Sequence, residues 1–224
     1  MKPAEDGHPH HCPSWLYCTF DNPLRRLIHK PDVLFDGLLH PGDTAIDLGC
    51  GRGYFSLAMA RLVGPAGKII AVDVLESILL KVRARARRKG LEDRIFLHLA
   101  GETGLGITER ADFVLAFWMI HEVRERGKFL AEVAASLKPE ASFLAAEPKL
   151  HVKEADFLKT IALAEEAGLV LQGRPRVVFS RAALFGRGAP ARRFRTEGRP
   201  VQRWKTKNFR PAKFTESEAA ALAR

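Results

Sequence analysis

The stretch Asp47-Leu48-Gly49-Cys50-Gly51-Arg52-Gly53 is suited to holding a ligand with the main chain. Glycine at every second position permits a tight turn. Gly49 makes the bend, Gly51 keeps a side chain out of the ligand's way, and Gly53 lets a helix begin close to the preceding strand. Amides at the start of that helix then face the bound group. Asp73, followed by Val74, ends the apolar run Lys68 to Val72, where a carboxylate can accept protons from both hydroxyls of a ribose. Asp47 is either a further ligand contact or a brace for the loop amides.

A second polar set follows two later apolar runs. Trp118-Met119-Ile120-His121-Glu122 comes after Phe113 to Phe117, and Glu147-Pro148-Lys149-Leu150-His151 after Ser142 to Ala146. His121 is the first candidate for a general base or a substrate-orienting group, because an ordinary imidazole titrates near neutrality. Glu147 and His151 form a second candidate catalytic pair on the same rim. Each has a structural alternative: His121 and Glu122 capping the next segment or bonding to each other, Glu147 and His151 fixing a turn. Trp118 walls a ligand pocket or belongs to the core.

These residues need a frame that brings them to one edge. Apolar strands at Thr44 to Leu48, Lys68 to Val72, Ile95 to Leu99, Phe113 to Phe117 and Ser142 to Ala146 alternate with amphipathic helices at Tyr54 to Val63, Glu76 to Lys89, Arg126 to Leu137 and Glu154 to Glu166. Such alternation predicts an α/β fold, a doubly wound, Rossmann-like and mostly parallel sheet covered on both faces. Two closing strands, Leu169 to Leu171 and Arg176 to Ser180, complete seven strands with an antiparallel edge hairpin. In such a sheet ligands sit beyond the carboxyl ends of the strands, where the glycine turn, Asp73 and both polar segments converge.

The chain divides into a flexible polar leader with the start of a lid (1–20), a helical lid segment (21–43, with a short helix or turn at Leu24 to His29 and another at Asp32 to Leu39), a ligand-binding domain (44–185) and a basic tail (186–224) read as disordered. Tyr17, Phe20 and Arg26 are the lid residues placed to touch an acceptor; the alternative is a helix packed on the domain's side. Of the formal charge of +10, the tail contributes +8 and residues 1–185 only +2. No apolar stretch is long enough to cross a membrane and no signal core opens the chain, which predicts a soluble cytoplasmic protein. Three cysteines make no disulfide framework. His8, His10, His11 and Cys12 have the residue types for a metal without zinc-site spacing, so no metal is expected.

The spacing Gly-x-Gly-x-Gly differs from the dinucleotide fingerprint, which disfavours an NAD-dependent oxidoreductase. Asp47 to Gly53 followed by Ala71-Val72-Asp73 resembles the first two motifs of the class I S-adenosylmethionine-dependent methyltransferases, and the resemblance extends from about Thr44 to Ala183. It includes Gly101-Glu102, Ala111-Asp112-Phe113-Val114-Leu115 and Leu137-Lys138-Pro139. The resemblance implies S-adenosylmethionine as cofactor, with Asp73 on the ribose, Glu102 beside the adenine amino group and the glycine loop around the methionyl part. Glu102 departs from the usual aspartate, and Glu140-Ala141 from the usual glycines. No Asn-Pro-Pro-Tyr segment follows the fourth strand, which disfavours the amino-directed nucleic-acid and glutamine enzymes, and the cysteine placement disfavours arsenite methylation. Methyl transfer to a small-molecule acceptor is the leading expectation. The alternatives are an RNA methyltransferase gripping nucleic acid through the tail, and a non-catalytic cofactor-binding module; the oligomeric partner is unknown.

Overall fold

The computed structural model describes residues 28–101 and 104–187, with the backbone of Phe209–Arg210. A single helical turn, α1 (Pro31–Leu34), precedes β1 (Thr44–Leu48), α2 (Tyr54–Leu62), β2 (Lys68–Asp73), α3 (Glu76–Arg88), β3 (Ile95–Leu99), β4 (Ala111–Phe117), α4 (Arg126–Ser136), β5 (Leu137–Pro148), α5 (Glu154–Glu166), β6 (Leu169–Pro175) and β7 (Ser180–Arg187). The sheet order is β3-β2-β1-β4-β5-β7-β6, with the two-residue β8 (Phe209–Arg210) against Arg174–Pro175. β3, β2, β1, β4 and β5 run parallel; β7 pairs antiparallel with β5 and β6. The expected mixed sheet with its antiparallel hairpin is therefore present.

Apolar strands dictate this layering. All but one residue of β2 is buried, so both faces need cover, and separate apolar cores form on the two sides. α4 and α5 cover one face. On the other, α2 and α3 pack with Phe35 and Leu39, Phe35 meeting Phe55 and Phe113 edge to face at 5.6 and 5.7 Å. α3 ends where Gly90 turns left-handed (φ +62°) and the Leu91 amide reaches back to the Ala86 carbonyl.

Several boundaries differ from the sequence expectation, among them the last two strands and the start of β5. The short helix or turn expected over Asp32 to Leu39 is a single helical turn, after which the chain turns again at Gly37 (φ +70°) and buries Phe35 and Leu39. The final strand lies at Ser180–Arg187, and residues 176–179 form the turn: Ser180 N donates to Val177 O, Phe179 takes φ +55°, and buried Ala182 to Phe185 fill the gap between β5 and β6. β5 begins already at Leu137, which pairs with Ala111 across an irregular register.

Candidate functional site

The strand order reverses between β1 and β4, the place where an open α/β sheet leaves a crevice at its carboxyl edge. Gly49, Gly51 and Gly53 all have positive φ (+62°, +51° and +77°), but for different reasons. A Cβ on Gly49 would lie 2.9 Å from Met119 Cγ, and one on Gly53 would lie 3.0 Å from Val82 Cγ1. Those two glycines let the loop after β4 and the helix α3 approach. Gly53 thus accommodates a neighbouring helix more than its own strand. Nothing lies within 4 Å of a Cβ on Gly51, so that position alone opens onto free space.

Asp73 stands opposite. Its Oδ2 accepts the Gly51 amide and its Oδ1 the Leu75 amide, each at 3.1 Å. Burial pushes the carboxyl above its ordinary pKa, opposed by the amides of Leu75, Gly51 and Val74. Each oxygen spends one lone pair on an amide and retains capacity for a hydroxyl. This open glycine backed by a carboxylate with two spare acceptor positions fits the sugar end of S-adenosylmethionine. Val74 follows, exposed on the rim. Asp47 is buried and its Oδ2 accepts the Ser56 hydroxyl at 2.5 Å, tying β1 to α2. Cys50 is buried, and desolvation followed by the charges of Asp47 and Asp73 raises its thiol well above the ordinary pKa, so it is an unreactive thiol under the loop.

The second half of the crevice is organised by Glu147, whose side chain is 1% exposed. Its Oε1 accepts the Ile120 amide at 2.9 Å, and its Oε2 accepts the His121 amide at 3.3 Å and His121 Nδ1 at 2.5 Å. The strongest bond of His121 is between loops, to Glu147, and His151, expected to pair with Glu147, stacks on His121 with centroids 6.4 Å apart. His121 Nε2 is the ring's remaining nitrogen, 3.9 Å from Glu122 Oε1. Burial works to lower the imidazole's pKa, but the hydrogen bond and charge of Glu147, helped by Glu122 and opposed by Arg126, raise it overall.

Trp118 adopts φ +62°, unusual for a bulky residue. Its Nε1 donates to Ser180 Oγ at 2.8 Å and its ring meets His29 at 5.2 Å. His29, buried, bonds through Nε2 to Val178 O at 2.8 Å, and Tyr54 donates to His29 O at 2.9 Å. His29, Ser180 and Tyr54 are residues near this rim that the sequence reading missed. They belong to no motif, and only tertiary packing brings them to the rim. Glu102, Tyr17, Phe20 and Arg26 lie outside the described residues.

A profile of a family described as methyltransferase domain matches residues 39–179. A demethylmenaquinone methyltransferase from Symbiobacterium thermophilum is 33% identical over 108 residues, 48% of this chain and 43% of that protein. A ribosomal protein L11 methyltransferase from Vibrio cholerae is 30% identical over 129 residues, 51% of this chain and 42% of its own. The chain thus spans less than half the length of these curated relatives. A crystal structure described as a SAM-dependent methyltransferase from Aquifex aeolicus superposes with a TM-score of 0.68 at 21% identity, covering 77% of this chain and 97% of that one.

Proposed function

The chain belongs to the methyltransferase domain family and has its S-adenosylmethionine-binding fold, and from that premise we propose that it methylates a small-molecule acceptor whose attacking atom carries a removable proton. The observation that carries this reading is the His121–Glu147 pair at the carboxyl edge, next to the loop whose Met119 touches Gly49. When bound, S-adenosylmethionine supplies an electrophilic methyl group. The chain's own task is to hold the acceptor in line with it and to remove the proton.

Glu147, buried and already accepting two backbone amides, holds the His121 ring by Nδ1 and fixes the tautomer that presents Nε2 as the base. When Nε2 takes the acceptor's proton, the imidazolium so formed is stabilised by the adjacent carboxylate. An oxygen or nitrogen acceptor bearing hydrogen suits this arrangement. His151, stacked alongside, is placed to contact the acceptor. Gly49 to Gly53, Asp73, Val74 and Glu102 hold the cofactor. Asp47 serves it through the loop, and Trp118 frames the pocket from the His29 side.

The relatives' names give two different acceptors, a demethylmenaquinone and ribosomal protein L11, so the acceptor class has to come from this chain's own rim. Leu150 is 92% exposed and Phe179 and Val178 are also exposed, with the Lys149 amide bonded to Phe179 O to join the two loops. That apolar rim suits an acceptor with an apolar body, or the aromatic segment of Tyr17 and Phe20 folding over it with Arg26. No helix among the described residues is long and apolar enough to cross a membrane. A reducing cytoplasmic setting accords with Cys50 as a buried free thiol.

Calorimetry with S-adenosylmethionine, S-adenosylhomocysteine and NAD tests the premise. The first two bind at micromolar concentration and NAD does not; selective binding of NAD would reverse the assignment.

A further inference from the structure

The near-neutral charge of residues 1–185 hides a strongly uneven distribution. Between residues 81 and 89 the chain carries Lys81, Arg83, Arg85, Arg87, Arg88 and Lys89. On the side of the sheet covered by α2 and α3, a cleft of about 470 Å³ opens between these helices and the start of α1. Lys30, Arg61, Arg85, Arg88 and Lys89 line it, against Asp32 as the sole acid.

Helix dipoles explain only part of this. Arg61 lies in the last turn of α2, and Arg85, Arg87 and Arg88 near the end of α3, where cations are favoured by a few tenths to about 1 kcal/mol. The dipoles do not explain why Lys30, from a third element, faces the same cleft. Nor do they favour Arg85 beside Arg88 and Lys89, spacings at which like charges destabilise a helix. Among the described residues Lys30, Arg61, Arg88 and Lys89 have no ion-pair partner. Concentrated like charge around a concave surface raises the local concentration of an anion. Leu57 and Ala58 also line the cleft, and Tyr54 adds an aromatic ring, so the site has an apolar component as well as a cationic one.

We propose that this cleft binds the phosphodiester strand of single-stranded RNA, seating one nucleotide unit between α2 and α3 while the exposed Lys81, one turn before Arg85, extends the track along α3. Cations follow the phosphates, and the aromatic and aliphatic groups offer a base a surface, the combination used for sequence-tolerant strand binding. The cleft is distinct from the His121 rim, and the proposal does not depend on which acceptor is methylated. Arg85 links the two sites: its Nη1 donates to Arg52 O at 2.6 Å, within the glycine loop.

The test is fluorescence anisotropy of the full chain with a labelled oligouridylate, titrated against salt. Arg61 and Arg88 are both exposed, and Arg61→Glu with Arg88→Glu removes two phosphate contacts without touching the cofactor cradle. RNA binding should weaken roughly tenfold or more, and the slope of log affinity against log salt should fall by about 1.4, near 0.7 per contact on a single strand. S-adenosylhomocysteine binding stays unchanged, and the melting temperature falls by only a few degrees, the size of the lost helix-end contributions. The control Arg110→Glu with Lys128→Glu alters net charge equally and keeps RNA affinity within about twofold, since it removes no cleft contact. Equal losses in both variants would reduce the binding to bulk charge and overturn the proposal. So would a cleft variant that retains RNA affinity but loses binding to phosphatidylglycerol vesicles, which would assign the cleft to a membrane surface.

Discussion

The two halves of the carboxyl-edge crevice are built on different principles. From Gly49 to Asp73 the backbone makes the site: three left-handed glycines, two of them filled by Met119 and Val82 and one left open, with a carboxylate held by two amides. From Trp118 to His151 side chains make it, through a carboxylate buried at the end of one strand that captures a histidine from the loop after another. A backbone site follows from the order of residue types along a few consecutive positions. A side-chain site depends on the register between β4 and β5, which places Ala146 beside Phe117 and so Glu147 within reach of the next turn.

The largest effect expected from separating the halves lies in turnover. Replacing His121 by alanine removes the base, and Glu147→Gln replaces the carboxylate bonded to Nδ1 by a neutral amide. Loss of a positioned general base costs about 10²–10⁴-fold in rate, with the smaller loss expected for Glu147→Gln. Cofactor affinity measured by calorimetry should be unchanged in both. A His121→Ala enzyme of full activity would leave the pair a structural brace and remove the base from the mechanism.

The opposite substitution breaks the first half. Asp73→Ala should weaken cofactor binding by roughly 1.5–3 kcal/mol, the scale of hydrogen bonds to a charged group. The glycines sharpen the contrast within that half. Alanine at Gly49 or Gly51 meets the left-handed penalty of about 1–2 kcal/mol, but Gly49→Ala also drives into Met119. Gly49→Ala should therefore lower the melting temperature more, and Gly51→Ala should lose more cofactor affinity than its stability loss accounts for. Equal behaviour of the two would mean that the free space above Gly51 is not the cradle.

The same division explains what could be read in the sequence. Runs such as Lys68 to Val72 and the glycine spacing express the sheet, its order of elements and the glycine turn locally, and the structure has all three. Within the rim, Glu147 and His121 are recognisable as reactive types, but the sequence suggests Glu147 with His151 and offers Glu122 as the alternative partner of His121. Their true pairing crosses 26 residues. His29 was missed because it reads as the end of a helical piece, while in the fold it is buried against Phe117 and Trp118. The hairpin slipped because Arg176 to Ser180 looks extended, whereas Phe179 in a left-handed conformation makes it a turn. Charge misled in a similar way. A net count over residues 1–185 averages the basic cleft between α2 and α3 with the rest of the domain, and only the fold gathers those cations in one place.

The smallest effect concerns pH, and it distinguishes a working base from a buried ion pair. Because Glu147 and Glu122 outweigh burial and Arg126 in raising the His121 pKa, the neutral imidazole needed for proton removal appears only above the ordinary value near 6.5. Turnover should rise with pH through that raised pKa. Stability follows the opposite sign: the protonated ring is the form the fold favours, so its contribution is complete below the unfolded pKa and is lost as pH climbs through the folded one. Activity should thus increase over a window in which the melting temperature declines slightly. Glu122→Gln removes the lesser of the two supporting charges and should move both limbs down together while leaving the plateau rate intact. A rate profile that stays in place while the stability profile moves would detach His121 from proton transfer, even though the hydrogen bond to Glu147 remained.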